Sequence, residues 1–318
     1  MPLQAHIDAR LVLVTGKGGT GKSTVAAAIG RRSAEAGRKT VVVEIDAFHS
    51  AMPGLLGRTP EYRPRPVAPG LAVCNVTWLE ALEEWLERTI RVQRVVKLIL
   101  RNRMVSLFLD ATPGVREIVI LSRVATLCEE YDQVVVDLPA SGHAVALLQV
   151  PWVATNLLHT GPIRQRAEEI ITLLGRPDTR PLVVCLPEEM VVTETLELQE
   201  RLATHAPLLA PPMVLLNQAS PPSLSQDEHR LIERLSARVE EGSTAGELVR
   251  AGRWEAELEQ ATATALERLR SHALPSEQVP RLGALGGLHG GPEAVVAQMS
   301  RALSRLVLRE PLDPEPHP

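Results

Sequence analysis

Short apolar runs that lack polar alternation recur along the chain. Leu11–Thr15 (LVLVT), Thr40–Ile45 (TVVVEI), Gln133–Leu138 (QVVVDL), Pro181–Leu186 (PLVVCL) and Met213–Asn217 (MVLLN) are the strongest, and Leu71–Val76 (LAVCNV) is a weaker sixth. Runs of this kind suit parallel strands covered on both faces. Helical patterns lie between them. Ser23–Gly37 ends in a glycine suited to a C-terminal cap, and residues 163–174 carry apolar side chains at 163, 167, 170, 171 and 174. Strands alternating with helices predict an α/β fold with a doubly wound, mostly parallel sheet.

Two stretches break the rhythm. Leu79–Leu109 is helical and rich in Leu, Val and Ile, and Gln226–His272 is helical and charged. Both suit helices that flank the sheet, and the first also suits a surface for an apolar partner. The predicted organisation is one nucleotide-type α/β domain over residues 1–309, with a helical insertion at 79–125 and a helical segment at 226–272. The tail 310–318 (EPLDPEPHP) is Pro-rich and expected to be disordered.

Composition narrows the classes. The chain has 318 residues, a formal charge of −4 and 3% aromatics, so Leu, Val, Ile and Ala must build the core. The charge argues against a surface that coats nucleic acid. The three cysteines, Cys74, Cys128 and Cys185, form no CxxC pair and read as buried thiols in a reducing compartment. The histidines have no ligand spacing. No apolar run reaches the ~18 residues of a membrane span, and MPLQAHIDAR has no apolar leader core. A soluble, cytoplasmic protein is the expectation.

The chemistry is concentrated in Gly16-Lys17-Gly18-Gly19-Thr20-Gly21-Lys22-Ser23-Thr24, which fits GxxxxGK[ST] between a predicted strand and a predicted helix. Glycines let backbone N–H groups turn toward phosphate oxygens, and the helix start adds its positive end. Lys22 is placed to reach the β- and γ-phosphates of ATP and Ser23 to ligate Mg²⁺. The motif does not require Lys17.

KGGTGKST resembles the deviant phosphate loop, KGGxGK[ST], of the ATPases that include the chromosome-partition, septum-positioning, nitrogenase iron-protein and arsenite-pump families. The resemblance implies that Lys17 crosses a dimer interface and contacts phosphate on the partner subunit. Further stretches point to one branch, the arsenite-pump and tail-anchored-protein-targeting ATPases. Glu44-Ile45-Asp46-Ala47-Phe48-His49-Ser50 is similar to that family's DPAHS first switch, with Ala47 and Phe48 departing. Asp137-Leu138-Pro139-Ala140-Ser141-Gly142-His143 resembles its DTAPTGH second switch. Residues 112–117 (TPGVRE) are similar to its PGIDE segment, Asn217 to the asparagine that reads adenine, residues 187–195 (PEEMVVTET) to its PE…ET stretch, and residues 279–283 (VPRLG) to its proline loop.

This implies that Asp46 orients the attacking water or helps hold Mg²⁺ and that Asp137 lies near Mg²⁺. Gly142 would meet the γ-phosphate, and Asn217 and Pro280 the base. The implied activity is Mg²⁺-dependent ATP hydrolysis by a dimer of this chain or of this chain with a paralogue, acting on a client protein or membrane partner. Two other readings stay open: a partition or positioning ATPase on DNA or membrane, and a non-catalytic nucleotide-binding subunit. The single set of motifs and the missing CxxC pair do not imply a tandem pump ATPase or a zinc-bridged dimer.

Overall fold

The computed structural model describes residues 3–89, 114–240, 242–281 and 291–308. Most of the predicted insertion (90–113), Leu282 and Gly283 of the proline loop, and the tail lie outside the described residues. Eight strands form one sheet in the order β3-β4-β2-β5-β1-β6-β7-β8 among the described residues. They are β1 (Leu11–Gly16), β2 (Thr40–Ile45), β3 (Arg65–Ala68), β4 (Leu71–Val76), β5 (Gln133–Asp137), β6 (Thr179–Cys185), β7 (Met213–Ala219) and β8 (Ser276–Pro280). All neighbours are parallel except β3, which runs antiparallel to β4 at one edge.

The absence of alternation in the strands has a direct cause. Leu11 and Leu13 face one core, with Val41, Val43, Val134 and Val136. Val12 and Val14 face the other, with Val42 and Val135. Burying each such side chain contributes about 1.5–3 kcal/mol, so a strand with two covered faces selects Val and Leu at every position.

Helices α1 (Leu3–Ile7), α2 (Lys22–Glu35), α3 (Met52–Leu56) and α11 (Pro292–Leu308) supply apolar residues to one core. The opposite core takes them from α4 (Trp78–Thr89), α5 (Val115–Glu130), α6 (Ser141–Leu157) and α7 (Pro162–Leu174). A third cluster joins α8 (Glu189–His205) to α10 (Thr244–Ser271). The stretch predicted as helical over 226–272 is two helices, α9 (Gln226–Ser236) and α10. Ser225 and Glu228 form a capping box at the start of α9, and Ser243 caps α10 after Gly242. Cap residues therefore divide this charged segment.

The candidate site lies where β1 has β5 on one side and β6 on the other. The chain leaves β1 toward β2 and returns later to β6, so the loops beyond the carboxyl ends diverge there and leave a crevice.

Candidate functional site

The glycine-rich segment leaves β1 at Gly16 and enters α2 at Lys22. Gly18 and Gly19 form its exposed tip, while Thr20 is buried and donates from its hydroxyl to the Lys17 carbonyl at 2.9 Å. Gly21 has φ 92°, and a Cβ there would lie 2.7 Å from Asn217 Nδ2. Only glycine satisfies both the conformation and the space. Asn217, buried within β7 two residues before its end, donates through Nδ2 to the Thr20 carbonyl at 2.9 Å. Its amide nitrogen thus ties β7 to the loop. Asn217→Ala is expected to lower the unfolding free energy by about 1–3 kcal/mol, because a buried carbonyl loses its donor. The denaturant midpoint measures this, and an unchanged midpoint would show that the loop holds itself.

Lys22 Nζ rests on the Lys17 carbonyl at 3.0 Å. A phosphate oxygen should displace that carbonyl, since hydrogen bonds between ionised partners are roughly twice as strong as neutral ones. Burial lowers the Lys22 pKa, and nearby Asp137 partly opposes this. Ser23 and Thr24 follow in the first turn of α2, both partly buried.

Asp137 ends β5 and pairs in register with Glu44 on β2. Burial pushes the Asp137 carboxyl up to about 6, Glu44 adds to the rise, and the Ser23 hydroxyl bond and Lys22 oppose it. Glu44 is also raised by burial, although Ser50 and the backbone of Ala51 and Met52 hydrogen-bond to it. Asp137 Oδ1 and Glu44 Oε2 are both buried without a hydrogen-bond partner. Two orphaned carboxylate oxygens beside a Ser hydroxyl at a phosphate loop suit a hard divalent cation, which keeps several waters and needs only one or two carboxylates.

Asp46 follows β2 with φ 47° and is paired with Arg116 of α5. Its N–H donates to Val76 at 3.0 Å, and Asn75 brackets Ala47 through both amide atoms, at 3.1 and 2.9 Å. The first-switch segment is therefore pinned at 46–47. Beyond it Phe48 is 92% exposed and meets His49 edge-on. Gly142 lies in the first turn of α6, which follows β5 as α2 follows β1. The Thr15 hydroxyl donates to the Pro139 carbonyl at 3.3 Å and links the two loops. The start of α6 presents N–H groups that lack helical acceptors.

Lys17 pairs with Glu194 of α8, with Nζ and Oε2 3.2 Å apart. Pro280 closes β8 opposite Ala219, two residues beyond Asn217. The structure thus gathers Lys22, Ser23, Asp137 and Glu44 closely. Asp46 stands at the neighbouring strand end, and Lys17 is paired with Glu194. Asn217 and Pro280 lie on the β7–β8 side.

Sequence reasoning assigned no role to Glu44, Asn75, Arg116 or Glu194. Glu44 carried a readable signal, a carboxylate inside an otherwise apolar buried strand. The cysteines take no part: burial pushes Cys74 and Cys128 up to about 12 and Cys185 to about 11, so these thiols stay protonated. No helix among the described residues is long and apolar enough to cross a membrane.

Comparison with known proteins decides the family. The model of the anion-transporting ATPases matches residues 9–177, more than half of the chain. The chain belongs to this family. It is an ATPase of the anion-transporting type, built on the phosphate-loop α/β fold. ATPase BagA of Mycobacterium tuberculosis is 30% identical over 257 residues, 76% of this chain and 73% of that protein. An uncharacterized protein of Streptomyces coelicolor is 33% identical over 172 residues, 52% of this chain and 44% of its own length. The arsenical pump-driving ATPase of Acidiphilium multivorum is 25% identical over 159 residues, covering 46% and 26%. The span matched by the anion-transporting ATPase model carries the phosphate loop, Glu44, Asp46, Arg116, Asp137 and Gly142; Glu194, Asn217 and Pro280 lie beyond it.

Proposed function

We propose that the chain is a Mg²⁺- and ATP-driven switch that completes its hydrolytic site when two chains meet. The observation that carries this reading is the division of labour between the two lysines. Lys22 lies over the loop's own Lys17 carbonyl, whereas the Lys17 ammonium pairs with Glu194 of α8. In this reading the loop N–H groups, Lys22, Ser23, Thr24 and Gly142 hold the triphosphate. Asn217 and Pro280 flank the base, with the Asn217 carbonyl oxygen still able to accept. Ser23, Asp137 and Glu44 would hold Mg²⁺, which would supply positive charge at the phosphate end of the nucleotide. Asp46 orients the attacking water.

Lys17 supplies a cation to the nucleotide of the facing chain. Its pair with Glu194 does not prevent this. Lys17 is 37% exposed and Glu194 41%, and such pairs contribute about 0–1 kcal/mol, less than a lysine gains at a phosphate. Phe48 at the crevice rim would then be covered by the facing chain.

Helix α6 connects the site to a remote surface. It carries Gly142 in its first turn and the exposed apolar residues Val153 and Leu157 in its last turns. A shift of its first turn on the γ-phosphate is the route by which nucleotide state reaches a client protein or membrane partner.

The test is the ATP hydrolysis rate per chain, with Mg²⁺, against protein concentration. The expected result is a specific rate that rises with concentration and then saturates. A rate independent of concentration, together with unchanged turnover in Lys17→Ala, would overturn the reading.

A further inference from the structure

Asp46 is held at both its backbone and its side chain. The backbone is fixed by the bond to Val76 and by the Asn75 bracket on Ala47. The side chain receives Arg116, which bonds through Nη2 to Oδ2. Arg116 sits in an unusual place for a cation, the first turn of α5, where the helix dipole is positive. The same turn carries Glu117, and the carboxylate that pairs with Arg116 is Asp46.

The start of α5 is itself positioned. Gly114 has φ 90°, and a Cβ there would lie 2.9 Å from Val150 Cγ1 on α6. Arg116 therefore springs from a helix end seated against α6 and reaches the end of β2. The PGIDE pattern that residues 113–117 resemble has an acid at this position, and this chain has an arginine. An acid would face Asp46 with like charge.

We infer that Arg116 is a positioning residue for hydrolysis, holding the Asp46 carboxylate by one oxygen so that the other is presented to the attacking water. This rests on the reading of Asp46 given above. Arg116 fixes the Asp46 carboxylate just beyond the end of β2. Because Arg116 acts through Asp46, its loss should affect turnover and spare nucleotide binding.

The experiment compares steady-state kinetics and ATP affinity for Arg116→Ala, Arg116→Lys, Asp46→Asn and the double variant Asp46→Asn/Arg116→Ala. Arg116→Ala is expected to lower kcat by about 10- to 100-fold, the scale of a misplaced catalytic group, with KM within about twofold. Arg116→Lys should recover part of the loss. The double variant should be no slower than Asp46→Asn alone, since two residues acting as one unit are not additive. Circular dichroism and thermal melting establish that each variant is folded, and Arg116→Lys serves if Arg116→Ala is not.

Full turnover in Asp46→Asn would remove the underlying reading of Asp46. A slow Asp46→Asn with an unimpaired Arg116→Ala would remove only the role of Arg116. Fully additive losses would place Arg116 in some other function and overturn the proposal.

Discussion

Lys17→Ala is expected to bind ATP within about threefold of the unaltered chain and to hydrolyse it about 10³–10⁵ times more slowly, the range spanned by cations that act in trans on phosphoryl transfer. The two halves of this expectation have separate origins. In the proposed site affinity would come from the loop N–H groups, the start of α2 and Lys22, and the Lys17 side chain is none of these. Its carbonyl does accept from Lys22 and Thr20, but a backbone carbonyl survives the change to alanine. Turnover depends on stabilising the charge that develops as the γ-phosphoryl departs, and a cation that arrives from a facing chain acts only then.

A mixing experiment separates this from a local effect on the loop. A Lys22→Ala chain is expected to bind ATP poorly but keeps Lys17, and a Lys17→Ala chain should keep its own nucleotide site. Mixed together, the two nearly inactive proteins should regain a substantial part of the activity. Recovery would locate the function of Lys17 on the neighbouring chain. No recovery, or a Lys17→Ala chain that turns over normally, would mean that the lysine serves its own loop.

The parts of the fold that were readable from sequence are those whose side chains explain themselves. The six anticipated strands are buried on both faces or nearly so, and hydrophobic burial wrote them as apolar runs. The two that were not anticipated are the sheet edges. β3 is RPVA with Pro66 inside it, and β8 is SEQVP with only Val279 buried. Edge strands owe their form to the neighbouring ladder and tolerate proline, so composition does not announce them. The same division holds at the site. The phosphate loop is local chemistry written in nine consecutive residues, and it was legible with its Lys22 and Ser23. The partners that hold its members come from distant segments, Asn217 for Thr20, Glu194 for Lys17 and Arg116 for Asp46. Ion pairs between exposed or half-buried residues leave no periodic trace. Glu44 and Asp137 are the intermediate case: each is visible as a carboxylate ending or interrupting an apolar strand, but their being neighbours follows only from the order β2-β5.

Asp137→Asn should separate stability from function. Burial raises the Asp137 carboxyl from 3.8 to about 6, so the ligand-free native state binds more protons than the unfolded chain between those values. Stability therefore falls as pH rises from about 4 to about 6, and the full penalty is present above the folded value. A rise of this size corresponds to roughly 3 kcal/mol at neutral pH, taken as an upper figure, since one pKa unit is about 1.4 kcal/mol. Asparagine has no charge to bury and keeps an oxygen that can accept from Ser23. The ligand-free variant should then be more stable than the unaltered chain at pH 7, by on the order of 1–3 kcal/mol, and less sensitive to pH between 4 and 6. Some dependence should persist, because Glu44 is raised by burial in the same sense.

Mg²⁺ with ATP should reverse the ranking. A divalent cation that relieves the charge on Asp137 and Glu44 stabilises the unaltered chain more than the variant, and the variant should lose most of its hydrolysis. Thermal melting at pH 4.5, 6 and 7.5, with and without Mg²⁺ and ATP, reads all of this. A variant less stable than the parent at pH 7 without ligand would mean that Asp137 is held by bonds worth more than its burial costs. A variant that gains as much from Mg²⁺ as the parent would take the metal away from Asp137. The expected pattern, a stabler protein that has lost its response to the metal, is what a buried carboxylate with one unsatisfied oxygen, kept for a metal, should produce.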